Sequence, residues 1–348
     1  MAGRRVEEEE SQLERARLRA NHARYRPGQA AGHYESFFLR ANHPNRSLAF
    51  WIRYTIFSPE GHPDAALGEL WAVYFDGESG RHVAVKKEAP FSQCAFKTSE
   101  FFVVVDDARL EPGAVRGAAA SGGRSVSWDL TFSGDAEPLF VLPVNFYEAE
   151  MPQAKGLVGL PLAVFNGFLH VDGKEIEVAD WVGSQNHNWG IRHTDHYAWG
   201  QVAGFDTHPE SFLEVITARL KVGESWTQFM TPIVLRHRGE EIALNSMSQA
   251  AAAGASFDYF NWHFSSETDA IRLDGRISAP REAFVGLNYY NPPGGEKHCL
   301  NTKIASCELQ VTRKGSSTGE AAETLRTRNR AAFEILTDDR DHGVEIRA

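Results

Sequence analysis

The sequence predicts an all-β protein made of two barrel-like units. Short apolar runs alternate with a period of two, turn residues separate them, and no βα alternation follows residue 33. Each half contains about eight such runs, the number at which a barrel can enclose one small ligand. A chain of 348 residues is long enough for two domains with sizeable cores.

The N-terminus is expected to be a helical arm. In residues 5–24, Glu and Arg alternate, helix formers dominate, and neither Gly nor Pro interrupts the run. The apolar stripe is thin, which favours a solvated or partly disordered arm laid on a barrel surface over a membrane-binding helix. We therefore expect an arm over 1–28, a first barrel over 29–185 and a second over 186–348.

The first barrel is predicted from alternation that begins near residue 33. Apolar side chains from Leu48 to Ile56 fall on one face of a strand, and in the next run, Leu67 to Asp76, they fall on both faces, which indicates a strand that is covered on both sides or faces a lined cavity. Asp172 and Gly173 form a hairpin signal between two clear strands. Further strands are predicted at 67–76, 81–88, 100–106, 125–132, 139–142, 162–171 and 174–178.

The second barrel is predicted from the same style of pattern, although no residue-level repeat links the halves. Residues 314–328 are rich in turn formers and predict a loop before the last strand. The predicted strands are 196–205, 211–220, 226–238, 256–265, 269–277, 282–290, 301–312 and 329–336.

Composition restricts the partners. The formal net charge of -10 argues against nucleic acid and anionic membranes. No signal-peptide pattern follows Met1, and no apolar run is long enough for a membrane span. The three cysteines show no metal-ligand spacing and indicate a reducing compartment. We expect a cytoplasmic protein that uses no cofactor.

The segment from Asp180 to Gln201 differs most from ordinary scaffold, because it mixes three His and three Trp with Asn, Asp and Gly. The spacing of His187, His193 and His196 matches neither the helix-borne zinc signature nor a close histidine pair, so we expect no metal. A structural junction between barrels is one alternative. A pocket that grips an apolar molecule and transfers protons to it is the other.

Proton transfer would need an acid and a lined pocket. We expect His187 and Glu214 to be the acids, because Glu214 is a lone carboxyl group in an apolar strand. Trp189 and Trp199 would hold a developing carbocation by cation–π attraction. The remaining candidates for binding the substrate are Asn186, Asn188, Tyr197, Gln201 and Phe212.

A family resemblance supports this interpretation. Residues 183–190 and 197–201 resemble the His-x-Trp-Gly signature of the carotenoid 1,2-hydratase (hydroxyneurosporene synthase) family and its AttH-like relatives, and tocopherol cyclases are similar. Residues 49–54 and 69–75 resemble the N-terminal domain of this group. The likeness covers most of residues 30–340 and implies two tandem lipocalin-like, calycin-type antiparallel β-barrels.

The resemblance also implies roles for particular residues. The family's hydratases use the His and Trp of the signature, which match His187 and Trp189, and a Tyr-x-Asp pair on a following strand. That pair falls at Phe212 and Glu214, so the acid is kept while Tyr is replaced by Phe and Asp by Glu. Other proteins that look similar are pericyclases of the Diels–Alder type and lipid carriers.

We therefore expect a cofactor-independent enzyme that hydrates or cyclises an apolar terpenoid or polyene in a β-barrel pocket. The alternatives are a non-catalytic lipid or isoprenoid carrier and a pericyclase on the same scaffold. A scaffold for protein partners has no supporting feature beyond the charged arm. The sequence contains no Gly-rich phosphate loop, dinucleotide fingerprint or serine-nucleophile elbow.

Overall fold

The computed structural model describes residues 2–316 and 319–348, and strands dominate these residues. The two α-helices are α1 (Ala2–Leu18) and α2 (Met247–Ala252), and short 3-10 turns occupy Pro63–Ala65, Phe91–Gln93, Val144–Phe146 and Arg281–Ala283. The strands of the first half are β1 His33–Asn42, β2 Leu48–Ser58, β3 Leu67–Asp76, β4 Val83–Pro90, β5 Cys94–Phe96, β6 Val103–Val105, β7 Ala108–Glu111, β8 Ala114–Ser121, β9 Arg124–Ser133, β10 Leu139–Phe140, β11 Ala154–Val171 and β12 Lys174–Gly190. Those of the second half are β13 His196–Ala203, β14 Phe212–Arg219, β15 Lys221–Val222, β16 Ser225–Trp226, β17 Ile233–His237, β18 Glu240–Leu244, β19 Gly254–Phe257, β20 Asn261–Glu267, β21 Ile271–Ser278, β22 Val285–Tyr290, β23 Glu296–Ser316 and β24 Gly319–Thr337.

The first sheet has twelve antiparallel strands in the order β4-β3-β2-β1-β12-β11-β9-β8-β7-β6-β5, with β10 on β11. It curls until β4 meets β8, where the backbone N–H of Lys86 donates to Ser121 Oγ at 3.1 Å. The result is a nearly closed barrel with an apolar interior that contains Phe37, Phe50 and Trp181. The sequence prediction of an all-β, barrel-based fold is confirmed.

Strand β2 has both of its faces buried. Phe50 and Ile52 point into the first barrel, whereas Trp51 packs in the cluster that reaches the second sheet. Almost every residue of β2 is buried. Strand β3, for which apolar groups on both faces were expected, is likewise buried on both sides.

The second sheet has ten strands in the order β18-β17-β14-β13-β24-β23-β21-β20-β19, with β22 on β23. It packs against the first sheet through β1. There Asn42 Nδ2 donates to the Lys303 carbonyl at 2.7 Å, and Arg40 Nη2 donates to the Arg330 carbonyl at 2.6 Å. These bonds join side chains of β1 to backbone carbonyls of the second sheet, and they fix how the sheets face each other.

The chain passes from the first sheet to the second over residues 191–195. Strand β12 pairs with β1 and β11 up to Gly190, so the expected boundary after residue 185 falls inside this strand. The hairpin that leads into β12 is present as predicted, with positive φ at Asp172 (50°) and Gly173 (79°). The aromatic–histidine segment is therefore mostly regular strand that joins the two sheets.

The N-terminal helix packs on the first sheet. It ends at Leu18, earlier than the predicted residue 24, and Leu13 and Ala16 contact a cluster around Phe140 and Trp189. Within residues 2–316 and 319–348, no helix is long and apolar enough to cross a membrane.

Gly183 offers a test of the close approach between β12 and β1. A Cβ atom at this position would lie 1.7 Å from the Arg40 carbonyl oxygen, which is backbone and cannot rotate away. We expect Gly183→Ala to lower the free energy of unfolding by about 2 kcal/mol or more. Gly156→Ala in β11 is the control, because its Cβ would make only an ordinary contact at 3.5 Å. Equal denaturant midpoints for the two variants would contradict this packing.

Candidate functional site

A cavity of about 450 Å³ lies between the two sheets. No described residue of the first barrel's apolar interior lines the cavity, so the expected β-barrel pocket does not lie inside this barrel but between it and the second sheet. Strands β1 and β2 are buried on both faces. One face points into the first barrel, and the other faces the second sheet and the cavity. The lining includes Tyr34, Phe38, Trp51, Arg53, Asn186, His187, Asn188, Tyr197, Trp199, Glu214, Ile216, Tyr289 and Glu334.

Glu214 supplies a buried carboxyl group to this cavity. It lies on β14 with 6% of its surface exposed. Trp199 Nε1 donates to Oε1 at 2.7 Å, and Gln201 Nε2 donates to Oε2 at 2.8 Å. Burial raises the pKa of Glu214 to about 7, although both hydrogen bonds and the charge of Arg40 oppose the rise. The group therefore changes protonation state near neutral pH.

A hydrogen-bonded chain fixes Gln201 in its donating orientation. Ser184 Oγ donates to Gln201 Oε1 at 2.6 Å, and Gln201 Nε2 also donates to Asn186 Oδ1 at 2.8 Å. Asn186 Nδ2 in turn donates to Ser184 Oγ at 2.9 Å. Because Gln201 can present only N–H to Glu214, the carboxyl oxygens act as acceptors toward the protein. Both recorded hydrogen bonds of the Glu214 carboxyl group are ones that it accepts, from Trp199 and Gln201.

Charged groups surround the Glu214 end of the cavity. The Lys303 ammonium lies 2.6 Å from Glu334 Oε1 and 5.2 Å from the ring of Trp199. Arg40 is fully buried, and burial lowers its pKa to about 9. Arg40 is the cation that acts on Glu214, and it would stabilise the carboxylate left after proton transfer.

His187 belongs to a different buried cluster. Its Nε2 lies 2.8 Å from Glu35 Oε1, and its Nδ1 lies 2.7 Å from the carbonyl oxygen of Ala20. Glu35 also accepts from the backbone N–H groups of Arg24 and Tyr25. Burial raises the pKa of Glu35, but hydrogen bonds and charge from His187 and His33 prevail and lower it to about 2.

Counting protons defines the role of His187. A carbonyl oxygen and an ionised carboxylate only accept hydrogen bonds, so both ring nitrogens of His187 must carry hydrogen. The imidazolium is thereby held by Glu35 and Ala20, and its face stacks on Phe37 at 4.1 Å. This arrangement anchors the segment after α1 to β12. His187 lines the cavity, but both of its ring nitrogens face protein atoms, and its expected acid role stays a prediction.

The two tryptophans already have cationic neighbours. The Arg24 guanidinium lies 5.0 Å from the ring centre of Trp189, which packs with Phe140 and Tyr147 outside the cavity lining. Trp199 has Lys303 over its ring and gives its N–H to Glu214. Both indole rings thus face a protein cation, and their expected role in holding a carbocation stays a prediction.

The other expected binding residues divide between the cavity and the packing around it. Asn186, Asn188 and Tyr197 line the cavity, and Asn188 Oδ1 is buried without a hydrogen-bond partner among the described residues. Gln201 does not line the cavity but donates a hydrogen bond to Glu214, which does. Phe212 is fully buried in a separate apolar cluster and does not line the cavity.

The three histidines of the segment do not converge. His193 stacks on Tyr34 at 3.9 Å, and His196 Nδ1 lies 3.1 Å from the Leu336 carbonyl oxygen. In the described part of the chain, one group of three metal-type ligands lies close together, comprising His208, His237 and Glu323. Arg238 donates to that carboxylate at 2.7 Å, so a protein cation already neutralises it.

Glu35, Arg53 and Lys303 are site residues that the sequence analysis did not single out. Arg53 is a charged residue within an apolar strand, which is the signal that identified Glu214, and the same criterion applied to β2 would have found it. Glu35 and Lys303 have polar neighbours in sequence, so no such signal marks them. The partner of each depends on strand order and could not be read from the pattern.

Comparisons with known proteins agree with this architecture. No family model matches the chain. Two uncharacterized proteins of Mycobacterium tuberculosis, MT0513 of strain CDC 1551 and Rv0493c of strain H37Rv, are each 25% identical over 304 residues, covering 85% of this chain and 88% of theirs.

Solved structures share the fold. Kievitone hydratase from Nectria haematococca aligns with a TM-score of 0.58 at 10% identity, covering 92% of both chains. An AttH-like protein from Nitrosomonas europaea aligns with a TM-score of 0.54 at 13% identity, covering 90% of this chain and 98% of its own. CghA aligns with a TM-score of 0.54 at 11% identity, covering 91% of this chain and 93% of its own. The chain therefore has the fold of AttH-like proteins and of this hydratase, as the resemblance implied.

The Glu35–His187 pair leads to a stability prediction. We expect Glu35→Gln to lower the free energy of unfolding by about 3–5 kcal/mol, because it leaves a buried imidazolium without its counter-charge. Glu177→Gln, an exposed position on β12, is the control and should change little. Denaturant melts at pH 7 measure both.

The same pair sets a pH window. The folded pKa of Glu35 is below its ordinary value of 4.5, so its stabilisation is complete above that value and is lost as the pH falls toward 2. The difference between wild type and Glu35→Gln should therefore shrink over this range. A difference that stays constant down to pH 2.5 would contradict the ion pair.

Proposed function

We propose that this protein is a cofactor-independent enzyme that uses Glu214 as a general acid on an apolar terpenoid or polyene bound between the barrels. The observation that carries the proposal is the buried Glu214 carboxyl group, which lines the cavity, accepts hydrogen bonds from Trp199 and Gln201, and has its pKa raised to about 7. A general acid is most effective when its pKa lies near the working pH. A hydratase that shares this fold supports the reaction class.

The chemistry can be followed atom by atom. The Glu214 O–H bond breaks, its proton forms a C–H bond with one carbon of a substrate olefin, and the other carbon becomes cationic. In hydration, water adds to that carbon and gives a proton back to Glu214. In cyclisation, a second olefin adds instead, and a neighbouring C–H returns the proton. Glu214 is regenerated in both cases.

The protein stabilises the carboxylate that forms during this step. Trp199 and Gln201 aim N–H groups at its two oxygens, and Arg40 supplies a positive charge. Such donors are in place before reaction and need no reorganisation. Asn188 Oδ1, which is buried without a partner among the described residues, offers an acceptor that can orient an attacking water. This feature favours hydration over cyclisation.

Two other functions remain as candidates for the same cavity. An isoprenoid carrier would use its apolar walls, among them Phe38, Leu142 and Ile216. A pericyclase would fold a polyene without donating a proton. Neither accounts for the Ser184, Asn186 and Gln201 chain that orients a titrating carboxyl group, because binding alone is best served by few polar groups.

Removing the acid tests the proposal. We expect Glu214→Gln to reduce turnover by at least about a hundredfold, since an amide cannot donate a comparable proton. Glu69→Gln is the matched control, because Glu69 is buried to a similar degree (5% exposed) but does not line the cavity. Turnover is measured by mass spectrometry on a panel of acyclic isoprenoids and conjugated polyenes. Full activity of Glu214→Gln would exclude the acid role.

Performing the reaction in deuterium oxide separates the candidate functions. Acid catalysis places solvent deuterium on carbon, and hydration also adds the mass of one water. A pericyclase would give product without deuterium on carbon, and a carrier would return the ligand unchanged. Either of those results with wild-type protein would contradict the proposed mechanism.

The pH dependence follows from the protonated form being active. Because the pKa of Glu214 is about 7, kcat/KM should be level below this pH and fall about tenfold for each unit above it. Activity that rises through pH 7 would instead require the carboxylate as a base.

A further inference from the structure

The geometry points to a ligand with an oxyanion at one end of its apolar body, held by Arg53. The group could be a carboxylate, an enolate or a phenolate, which share a charged oxygen that accepts from a guanidinium. The inference deepens the proposed function, on which the reaction at Glu214 rests, by naming the chemical class of the substrate.

Arg53 is a buried cation with no carboxylate in direct contact, while the charges of Glu69 and Glu334 raise its pKa from a distance. It lies on β2, lines the cavity and is 5% exposed. Its Nε and Nη2 both donate to the single oxygen Ser36 Oγ, at 2.8 and 2.6 Å. Among residues 2–316 and 319–348, no carboxylate oxygen lies within 4.0 Å of its nitrogens. Ser36 Oγ is the acceptor recorded for Arg53 among the described residues, and the guanidinium lines the cavity.

The neighbouring buried lysines differ from Arg53 in this respect. Lys303 is paired with Glu334 at 2.6 Å, and Lys297 is paired with Asp338 at 2.9 Å. Arg53 instead faces aromatic rings, with its central carbon 4.4 Å from the ring centre of Tyr289 and 5.9 Å from that of Trp51. Aromatic faces replace only part of the hydration that a buried cation loses. An anionic ligand group would supply the rest.

The position of Arg53 also orients the ligand. Lys303 lies between Trp51 and Trp199, at 5.7 and 5.2 Å from their ring centres, and Trp199 donates to Glu214. The cavity wall thus runs from Arg53 past both indole rings to the acid. An oxyanion bound at Arg53 would place the apolar tail against this wall and bring a distant olefin toward Glu214. The anionic end and the reacting end of the substrate are therefore separate.

A matched ligand pair tests the assignment. Farnesoic acid and farnesol have the same apolar chain and differ in whether the end group carries a charge. We expect isothermal titration calorimetry at pH 6 to show that wild-type protein binds the acid at least about tenfold more tightly, the effect of one charge-assisted hydrogen bond. Arg53→Gln should abolish this preference and leave the affinity for farnesol within about twofold.

Controls keep the result specific. Arg46→Gln removes the same charge at an exposed position paired with Glu78, and it should retain the preference for the acid. If Arg53→Gln does not fold, Arg53→Lys keeps the charge and should retain a reduced preference. Equal affinity of wild-type protein for acid and alcohol, including no measurable binding of either, would overturn the assignment.

The outcomes also separate this inference from the proposed reaction. An Arg53-dependent preference for the acid, without any turnover that depends on Glu214, would support the anion site and reject the enzyme. Turnover that depends on Glu214 with no preference for the acid would do the reverse.

Discussion

The burial of polar side chains between two curved sheets is the constraint on which the rest of the structure depends. Both sheets cover their inner faces with apolar residues, yet their outer faces meet through Arg40, Arg53, Glu214 and Lys303. A buried polar group costs free energy unless it is hydrogen-bonded or paired. Neighbouring strands of the same sheet meet most of this requirement, as Ser36 does for Arg53 and Glu334 for Lys303, whereas Arg40 donates to the Arg330 carbonyl of the other sheet.

Two carboxyl groups illustrate how the same burial produces opposite outcomes. Glu35 receives two backbone N–H groups and two histidines, so its pKa falls to about 2 and it serves as a permanent anion. Glu214 receives two neutral N–H groups, so burial prevails and its pKa rises to about 7. The first anchors the chain after α1, and the second is able to donate a proton. Environment separates their roles, as in other sites where two acids do different work.

Much of the fold could be predicted from the sequence because strand alternation is a local property. The run around Trp51, the hairpin at Asp172 and the apolar strand around Glu214 all lie where the pattern placed them. Short strands such as β7 and β18 were not predicted, because four or five residues are too few to show a clear alternation. The position of the cavity could not be predicted, because it depends on which outer faces the two sheets turn toward each other.

The site was predicted in part for the same reason. Glu214 was recognisable as a lone acid among apolar residues, but the partners of His187 are Ala20 and Glu35, which are far away along the chain.

The most direct test of the account is the titration of Glu214 itself, measured as the difference in carboxyl infrared absorption between wild type and Glu214→Gln. The account predicts a protonated carboxyl signal at pH 6 that disappears with a midpoint near 7. A carboxylate signal already complete at pH 5 would contradict it.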